Sequence, residues 1–271
     1  MHLGATPITY ARRLTVLLLL SSSAVFCAES PFFDMIISGG EVIDGTGAAP
    51  FKADVGILAG TITAIGDLSQ AESDSQVNAE GRYVVPGFID IHSHADGAED
   101  NTGLRSRNPR RRAAPNLISQ GITTVVVNQD GRSPRSIARQ RKQLMERGIG
   151  VNTALMVGHN TIRRAALKGG NQKRPATDEE IEIMKTMIRE GMDAGAFGLT
   201  AGLEYEPGIW STTEELIALV DEIVPYRGVY IVHERSSGKD PMWFVPSHDD
   251  EDQPTMLDNI HEVIEVGEAT G

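Results

Sequence analysis

Only one cysteine, Cys27, occurs in the 271 residues. That excludes an internal disulfide, a Cys-rich zinc site and a cysteine nucleophile in the body of the chain. Positive charge is also scarce, with 25 Lys and Arg against 37 Asp and Glu, a net charge of −12. This acidic balance argues against nucleic acid or an anionic membrane as a partner. Long apolar runs are missing as well. The stretch Leu14 to Leu20 is too short to span a bilayer. Arg12 and Arg13 precede it and Ser21, Ser22, Ser23 and Ala24 follow, which is the pattern of a secretory signal peptide cut near Cys27-Ala28. Residues 1–27 are therefore read as a signal, and the protein as exported, periplasmic or secreted. A lipoprotein anchor through Cys27 is the alternative, disfavoured by Phe26 just before it. No membrane span is expected after cleavage.

What the chain does have is 40% hydrophobic residues and 28 glycines. That suits a substantial core with many strand-to-helix turns. Residues 33–85 are strand-rich. DMIISGGEVIDGTG carries short β-branched runs broken by Gly-Gly and Asp-Gly, and Ala59-Gly60 reads as a tight turn. A small β-sandwich part is expected there, with AESDSQ (71–76) as a surface loop. From residue 86 to 271 the texture changes to strands alternating with helices, which argues for βα units around a parallel sheet. The predicted strands are GFIDI, ITTVVV (122–127), TALMVGH (153–159), AFGLTAG (196–202) and VYIVH (229–233). Thr177 with Glu180 and Thr212 with Glu215 read as capping boxes opening helices. Ile260, Val263, Ile264 and Val266 mark a last helix. About five βα units, a partial TIM-like barrel, fit this stretch, whereas a closed (β/α)8 barrel takes roughly 250 residues. The closing GEATG resembles a helix cap before another strand, so the chain is expected to be an N-terminal piece.

The strand GFIDIHSHAD organises the rest. Phe88, Ile89 and Ile91 read as a buried run closed by His92 and His94. Residues two apart on a strand point to one face, so both imidazoles aim at one spot and make half of a zinc site. The C-terminal ends of the other strands carry Asp130, His159, Glu204, Tyr205, His233 and Arg235. Buried ionisable groups at every strand end are costly unless paired or metal-bound. Arg235 shares a strand face with His233. Either it holds a substrate carboxylate through two parallel hydrogen bonds or it makes an internal salt bridge. The run Arg105, Arg107, Arg110, Arg111 and Arg112 is either a solvated helix start or an attractor of anionic substrate. His248, in the acidic SHDDEDQ, reads as a solvated lid residue.

GFIDIHSHAD, GITTVVV, MVGHNTIR, AFGLTAGLEYEPG and YIVHER, in this order, resemble the D-aminoacylase (N-acyl-D-amino-acid deacylase) branch of the amidohydrolase superfamily. DMIISGGEVIDGTG resembles that superfamily's opening strands, and the likeness runs over most of residues 33–271. The resemblance implies a metal-dependent hydrolase that cleaves the amide of a small N-acyl amino acid, with one or two divalent ions, zinc first. It implies His92, His94 and His233 as metal ligands. Where the branch often has a ligating cysteine, this chain has Asn128-Gln129-Asp130-Gly131, so Asp130 is the candidate oxygen ligand there. Glu204 is the other candidate bridging carboxylate and is preferred to Asp130. Tyr205 is the candidate catalytic residue, polarising the scissile carbonyl. His159 and Arg235 are the candidate substrate-binding residues. The superfamily's general base, an aspartate at strand eight, and a histidine after strand six find no counterpart segment in the chain. No activity is therefore expected of these 271 residues alone. A cyclic-amide hydrolase of the dihydroorotase or hydantoinase kind is disfavoured, because AFGLTAGLEY lacks the lysine those enzymes carboxylate. A catalytically dead binding remnant of the fold is the rival from another class.

Overall fold

The computed structural model describes residues 31–97, 101–168, 170–235 and 255–271. The expected signal peptide, 1–27, and His248 lie outside them. The chain divides into two compact units, up to Pro86 and from Gly87 onward.

The first unit has five strands: β1 Phe32–Val42, β2 Phe51–Leu58, β3 Thr61–Gly66, β4 Glu72–Asn78 and β5 Tyr83–Val84. Among the described residues they form one mixed sheet rather than the two layers of a sandwich, in the order β3-β2-β1-β4, with β5 also beside β1. Gly39-Gly40 is not a turn. β1 runs through it with a bulge between Ile37 and Gly40, and a Cβ on Gly40 would lie 2.5 Å from Val84 Cγ2. Ala59-Gly60 is the two-residue hairpin loop, both residues at positive φ, as a type I′ turn requires. From Glu72 on, the stretch 71–76 is strand, not loop. β4 pairs in parallel with β1 from Phe32↔Glu72 onward. Its polar residues suit an edge strand, where charge discourages further pairing. Phe33, Ile36, Val42 and Val55 supply the buried face.

The second unit alternates strand and helix. β6 Phe88–Asp90 is followed by the short helices α1 Pro109–Arg112 and α2 Pro115–Ile118. Then come β7 Ile122–Val127, α3 Ile137–Arg147, β8 Asn152–Leu155, β9 Val157–Gly158, α4 His159–Ala166 and α5 Asp178–Asp193. β10 Gly198–Gly202, α6 Thr213–Val220, β11 Val229–His233 and α7 Met256–Thr270 complete it. All strand pairs here are parallel, in two three-stranded sheets, β6-β7-β8 and β9-β10-β11. The third expected strand is thus split at Met156, whose side chain is fully buried.

The core explains the order. β10 is buried throughout, and Val125, Val127, Leu199 and Ala201 meet Met184 and Ile188 of α5 and Leu216 and Leu219 of α6 in one cluster. α5 opens with the Thr177–Glu180 capping box in full. α6 does not. The Thr212 hydroxyl accepts from the Glu215 N–H, but the Glu215 carboxylate turns inward to Arg163. A buried guanidinium outcompetes a terminal backbone N–H for that carboxylate. The first strand also departs from expectation. Phe88, Ile89 and Ile91 are exposed, at 57%, 62% and 68%, because β6 pairs on one side only among the described residues.

Candidate metal centre

His92 and His94 follow β6, and their rings meet edge to face with centroids 5.5 Å apart. Asp130 follows β7 in the turn Asn128-Gln129-Asp130-Gly131. Asn128, Asp130 and Gly131 all have positive φ, a conformation that Asn, Asp and Gly tolerate better than other residues. That turn swings the Asp130 carboxylate over the two histidines. Oδ1 lies 3.3 Å from His92 Nε2, and Oδ2 lies 3.3 Å from His94 Nε2. His233, the last residue of β11, brings Nδ1 to 3.4 Å from Asp130 Oδ1. Three imidazoles from two strand ends converge on one carboxylate from a third.

One ligand atom each from His92, His94 and Asp130 lie within 4.8 Å of one another, a group able to hold a metal ion. Two observations fit a cation. Asp130 Oδ1 is buried without a well-formed hydrogen bond. The His92 Nε2–Asp130 Oδ1 separation of 3.3 Å is close to the edge of a tetrahedron with about 2.0–2.1 Å bonds, roughly 3.3 Å, while His94 Nε2 lies as far from the other carboxylate oxygen. Nitrogen and oxygen donors of this kind suit zinc.

Glu204, preferred from sequence as the bridging carboxylate, is not in this trio. It is buried, and its Oε2 lies 2.9 Å from His233 Nε2. His233 therefore sits between two carboxylates. Asp130 beside its Nδ1, then Glu204, raise its pKa against the lowering effect of burial. Asp130 in turn is held below the ordinary carboxylate range, first by His233 and then by the charges of His94 and His92, with burial opposing. Tyr205 stands beside this pair. Its hydroxyl is 3.4 Å from His233 Nδ1 and its ring is 4.7 Å from the imidazole. Burial, then the charges of Asp130 and Glu204, raise the phenol's pKa. It stays a hydrogen-bond donor at neutral pH.

Two sequence candidates are drawn elsewhere. His159 begins α4 rather than ending a strand. It is fully buried and its Nε2 lies 3.0 Å from Glu215 Oε1, a contact inside the core and apart from the His92–His94–Asp130 group. Arg235 is engaged within the protein. It pairs with Glu262 through Nε at 2.9 Å and Nη2 at 3.0 Å, and donates to the carbonyls of Ile209 and Ser211. That uses four of its five N–H groups and ties β11 to α7. In the arginine run, Arg105 donates to the carbonyls of Asp96 and Gly97. Arg112 donates to those of Ser106, Arg107, Arg147 and Gly148.

Sequence reasoning missed three features. Asn160, buried after β9, donates to the carbonyls of Gly202 and Tyr205 at 2.8 and 3.3 Å. A Cβ on Gly131 would meet its Oδ1 at 2.2 Å. Asn160 is thus wedged between the turn bearing Asp130 and the loop bearing Glu204 and Tyr205. Arg163 is fully buried and bonds Glu215 together with the carbonyls of Gln172, Arg174, Pro207 and Trp210. Arg132, two residues after Asp130, lies over the Tyr205 ring at 5.4 Å. Its place in the turn was the available clue. A cleft of about 1190 Å³ runs past His94, Asp130 and Arg132 to α3 and α5.

A family profile described as "Amidohydrolase family" matches residues 76–208. The D-aminoacylase of Alcaligenes xylosoxydans xylosoxydans is 36% identical over 235 residues, 78% of this chain and 46% of that protein. Among solved structures, a D-aminoacylase described by its binuclear metal centre superposes with a TM-score of 0.73 at 30% identity, covering 88% of this chain and 50% of that one. The N-acyl-D-glutamate deacylase of Bordetella bronchiseptica, complexed with zinc and a phosphonate inhibitor, gives 0.72 at 28% identity with the same coverage. The chain spans about half the length of the relatives it matches.

Proposed function

Because the chain belongs to the amidohydrolase family, we propose that its site serves the zinc-dependent hydrolysis of the amide bond of N-acyl-D-amino acids. The βα units of residues 87–271 would then be five units of a (β/α) barrel, with chemistry at the C-terminal strand ends. The convergence of His92, His94 and His233 on the Asp130 carboxylate carries this reading.

His92, His94 and Asp130 would hold the ion, with His233 and Glu204 beside it. An ion held there would supply a bound water with a pKa of about 7 and Lewis-acid polarisation of the amide carbonyl. The chain's own groups do the rest. The Tyr205 phenol, kept protonated by its surroundings, donates to the carbonyl oxygen as negative charge grows on it. Glu204 holds His233 through Nε2, and the pair can store and return a proton at the edge of the centre. Asn160 fixes the spacing of Asp130 from the Glu204–Tyr205 loop. Substrate specificity for a D configuration, a small N-acyl amino acid and one or two ions belong to the same proposal.

The test is the hydrolysis of N-acetyl-D- and N-acetyl-L-amino acids by a Zn2+-loaded chain extended to the full length of its relatives, before and after chelation, since the 271 residues alone are not expected to turn over. Release of the D-amino acid alone, abolished by chelator and restored by Zn2+, supports the assignment. Equal release with and without metal sinks it. We also infer export, from the pattern of residues 1–27. N-terminal sequencing of the protein recovered outside the cytoplasm would start near Ala28.

A further inference from the structure

We propose that Gln129 is a positioning residue of the metal centre: its carboxamide ties the end of the histidine strand to the Asp130 turn and so presets the spacing of the ligands. The inference rests on the reading of His92, His94 and Asp130 as the ion's ligands, and deepens it by naming what holds them in register.

The strand that leads into the histidines is weakly held. β6 has three residues and pairs with β7 alone among the described residues, with a register shift between Phe88 and Ile89. The side chains of His92 and His94 are 41% and 65% exposed, so packing does not fix them. Their place comes from the backbone beneath. Beyond β6 that backbone meets β7 through the Ser93 N–H, which donates to the Val126 carbonyl at 3.0 Å. Gln129 adds two bonds at the same spot. Its Nε2 donates to the Val126 carbonyl at 2.9 Å and to the Ile91 carbonyl at 3.3 Å. Ile91 immediately precedes His92, and Gln129 immediately precedes Asp130. A single side chain thus links the residue before one ligand to the residue before another.

The turn gives Gln129 a fixed point to pull against. Asn128 is buried, and its Nδ2 donates to Gln140 Oε1 at 3.0 Å and to the Met156 carbonyl at 2.8 Å. Gln140 Nε2 returns a bond to Asn128 Oδ1 at 2.8 Å, and the Thr200 hydroxyl donates to the Asn128 carbonyl at 2.7 Å. The Asp130 turn is thereby rooted in α3, the β8–β9 junction and β10. Gln129 reaches the other way, toward β6. It is itself buried, and its Oε1 has no hydrogen-bond partner. An unpaired buried acceptor is unfavourable, so stability alone would favour an apolar side chain of the same size. Such a side chain could not make the two donor bonds across the strand ends. The two carbonyls also fix the amide's orientation, because the reverse placement would set Oε1 against two oxygens.

The experiment has two readouts on the purified chain: Zn2+ affinity, by competition with a chromogenic chelator, and the imidazole NMR signals of the metal-free protein. The variants are Gln129→Met, Gln129→Glu and, in the core, Met184→Ala. Gln129→Met keeps the volume and removes the donor. Gln129→Glu sets a carboxylate against both carbonyls and adds negative charge near the ion. Each Gln129 variant should lower Zn2+ affinity by about 10–100-fold, the range for residues that hold a metal ligand in place. Their His92 and His94 signals should shift while those of the buried His159 stay. Met184→Ala should change neither the affinity nor the His92 and His94 signals. Wild-type affinity in Gln129→Met overturns the proposal. So does tighter binding in Gln129→Glu, which would mean that the residue acts through charge. An equal loss in Met184→Ala overturns it too, since the effect would then be one of general stability. Unmoved His92 and His94 signals overturn it as well. If the wild-type chain binds no Zn2+, the metal reading falls; shifted ring signals then leave the positioning role of Gln129 standing, and unmoved ones remove it also.

Discussion

Asn160 and Gly202 bond to each other in both directions: the Asn160 Nδ2–H donates to the Gly202 carbonyl at 2.8 Å, and the Gly202 N–H donates to Asn160 Oδ1 at 3.3 Å. Gly202 precedes the loop that carries Glu204 and Tyr205, and Asn160 also blocks the space above Gly131. One buried carboxamide therefore sets how far the Asp130 turn stands from that loop.

Asn160→Ala should lower stability by about 1–3 kcal/mol for each buried backbone group left unpaired. Urea denaturation measures the loss. The Tyr205 and His233 ring signals should shift in the same variant. A core variant of equal destabilisation remote from the loop, Met184→Ala, should leave those signals in place. If both variants move them alike, Asn160 is only a stability residue.

Glu215 is the counterion of a fully buried guanidinium, at 2.9 Å from Arg163 Nε. Glu215→Ala strands that charge and should cost about 3–5 kcal/mol. Burial acts first to raise the Glu215 pKa, but the bonds and charges of His159 and Arg163 outweigh it and the net shift is downward. A depressed folded-state pKa means the contribution is complete above the unfolded value, about 4.3, and is lost as pH falls through the lower folded value. The stability gap between wild type and Glu215→Gln should thus be full at pH 7 and shrink below pH 4. A gap independent of pH would contradict the assignment.

The strand ends were legible in the sequence because the β period is two and the motifs fall at the ends of apolar runs. His92, His94, Asp130 and His233 were found that way. The exposure of Phe88, Ile89 and Ile91 was not, since an apolar run does not say how many partners its strand has. Nor was the Arg163–Glu215–His159 cluster. His159 and Arg163 lie one turn apart on α4, but Glu215 on α6 is more than 50 positions from both, and the Thr212–Glu215 spacing fitted a capping box as well. That the Asp130 carboxylate, rather than Glu204, lies against His92 and His94 goes with a turn of positive φ at Asn128, Asp130 and Gly131, a backbone property that residue type only hints at.

Arg235 and Glu262 should behave as one structural unit. A double-mutant cycle with Arg235→Ala and Glu262→Ala should give a coupling energy of about 0.5–3 kcal/mol. Arg235→Lys should recover little of it, because an ammonium cannot make the two parallel bonds and also reach the Ile209 and Ser211 carbonyls. Additive single effects would show that this pairing is absent in solution.

Asp130→Cys exchanges a hard oxygen for a soft thiolate. Zn2+ should be favoured over Mn2+ more strongly in this variant than in wild type. The φ of +56° at this position suits Asp better than Cys, so a stability loss of roughly 1 kcal/mol should accompany the change. Competition between the two metals, followed by metal analysis, measures the first effect and thermal unfolding the second. An unchanged Zn2+/Mn2+ ratio would place residue 130 outside the coordination sphere.

The most direct measurement is the Zn2+ affinity of the purified chain, by competition with a chromogenic chelator, for wild type and for His92→Ala, His94→Ala and Asp130→Ala. Outer-shell changes cost about 10–100-fold in metal affinity, so removing a ligand should cost at least about a hundredfold in each variant, with folding intact by circular dichroism. Wild-type affinity retained in any of the three variants would contradict the assignment of these residues as the ion's ligands.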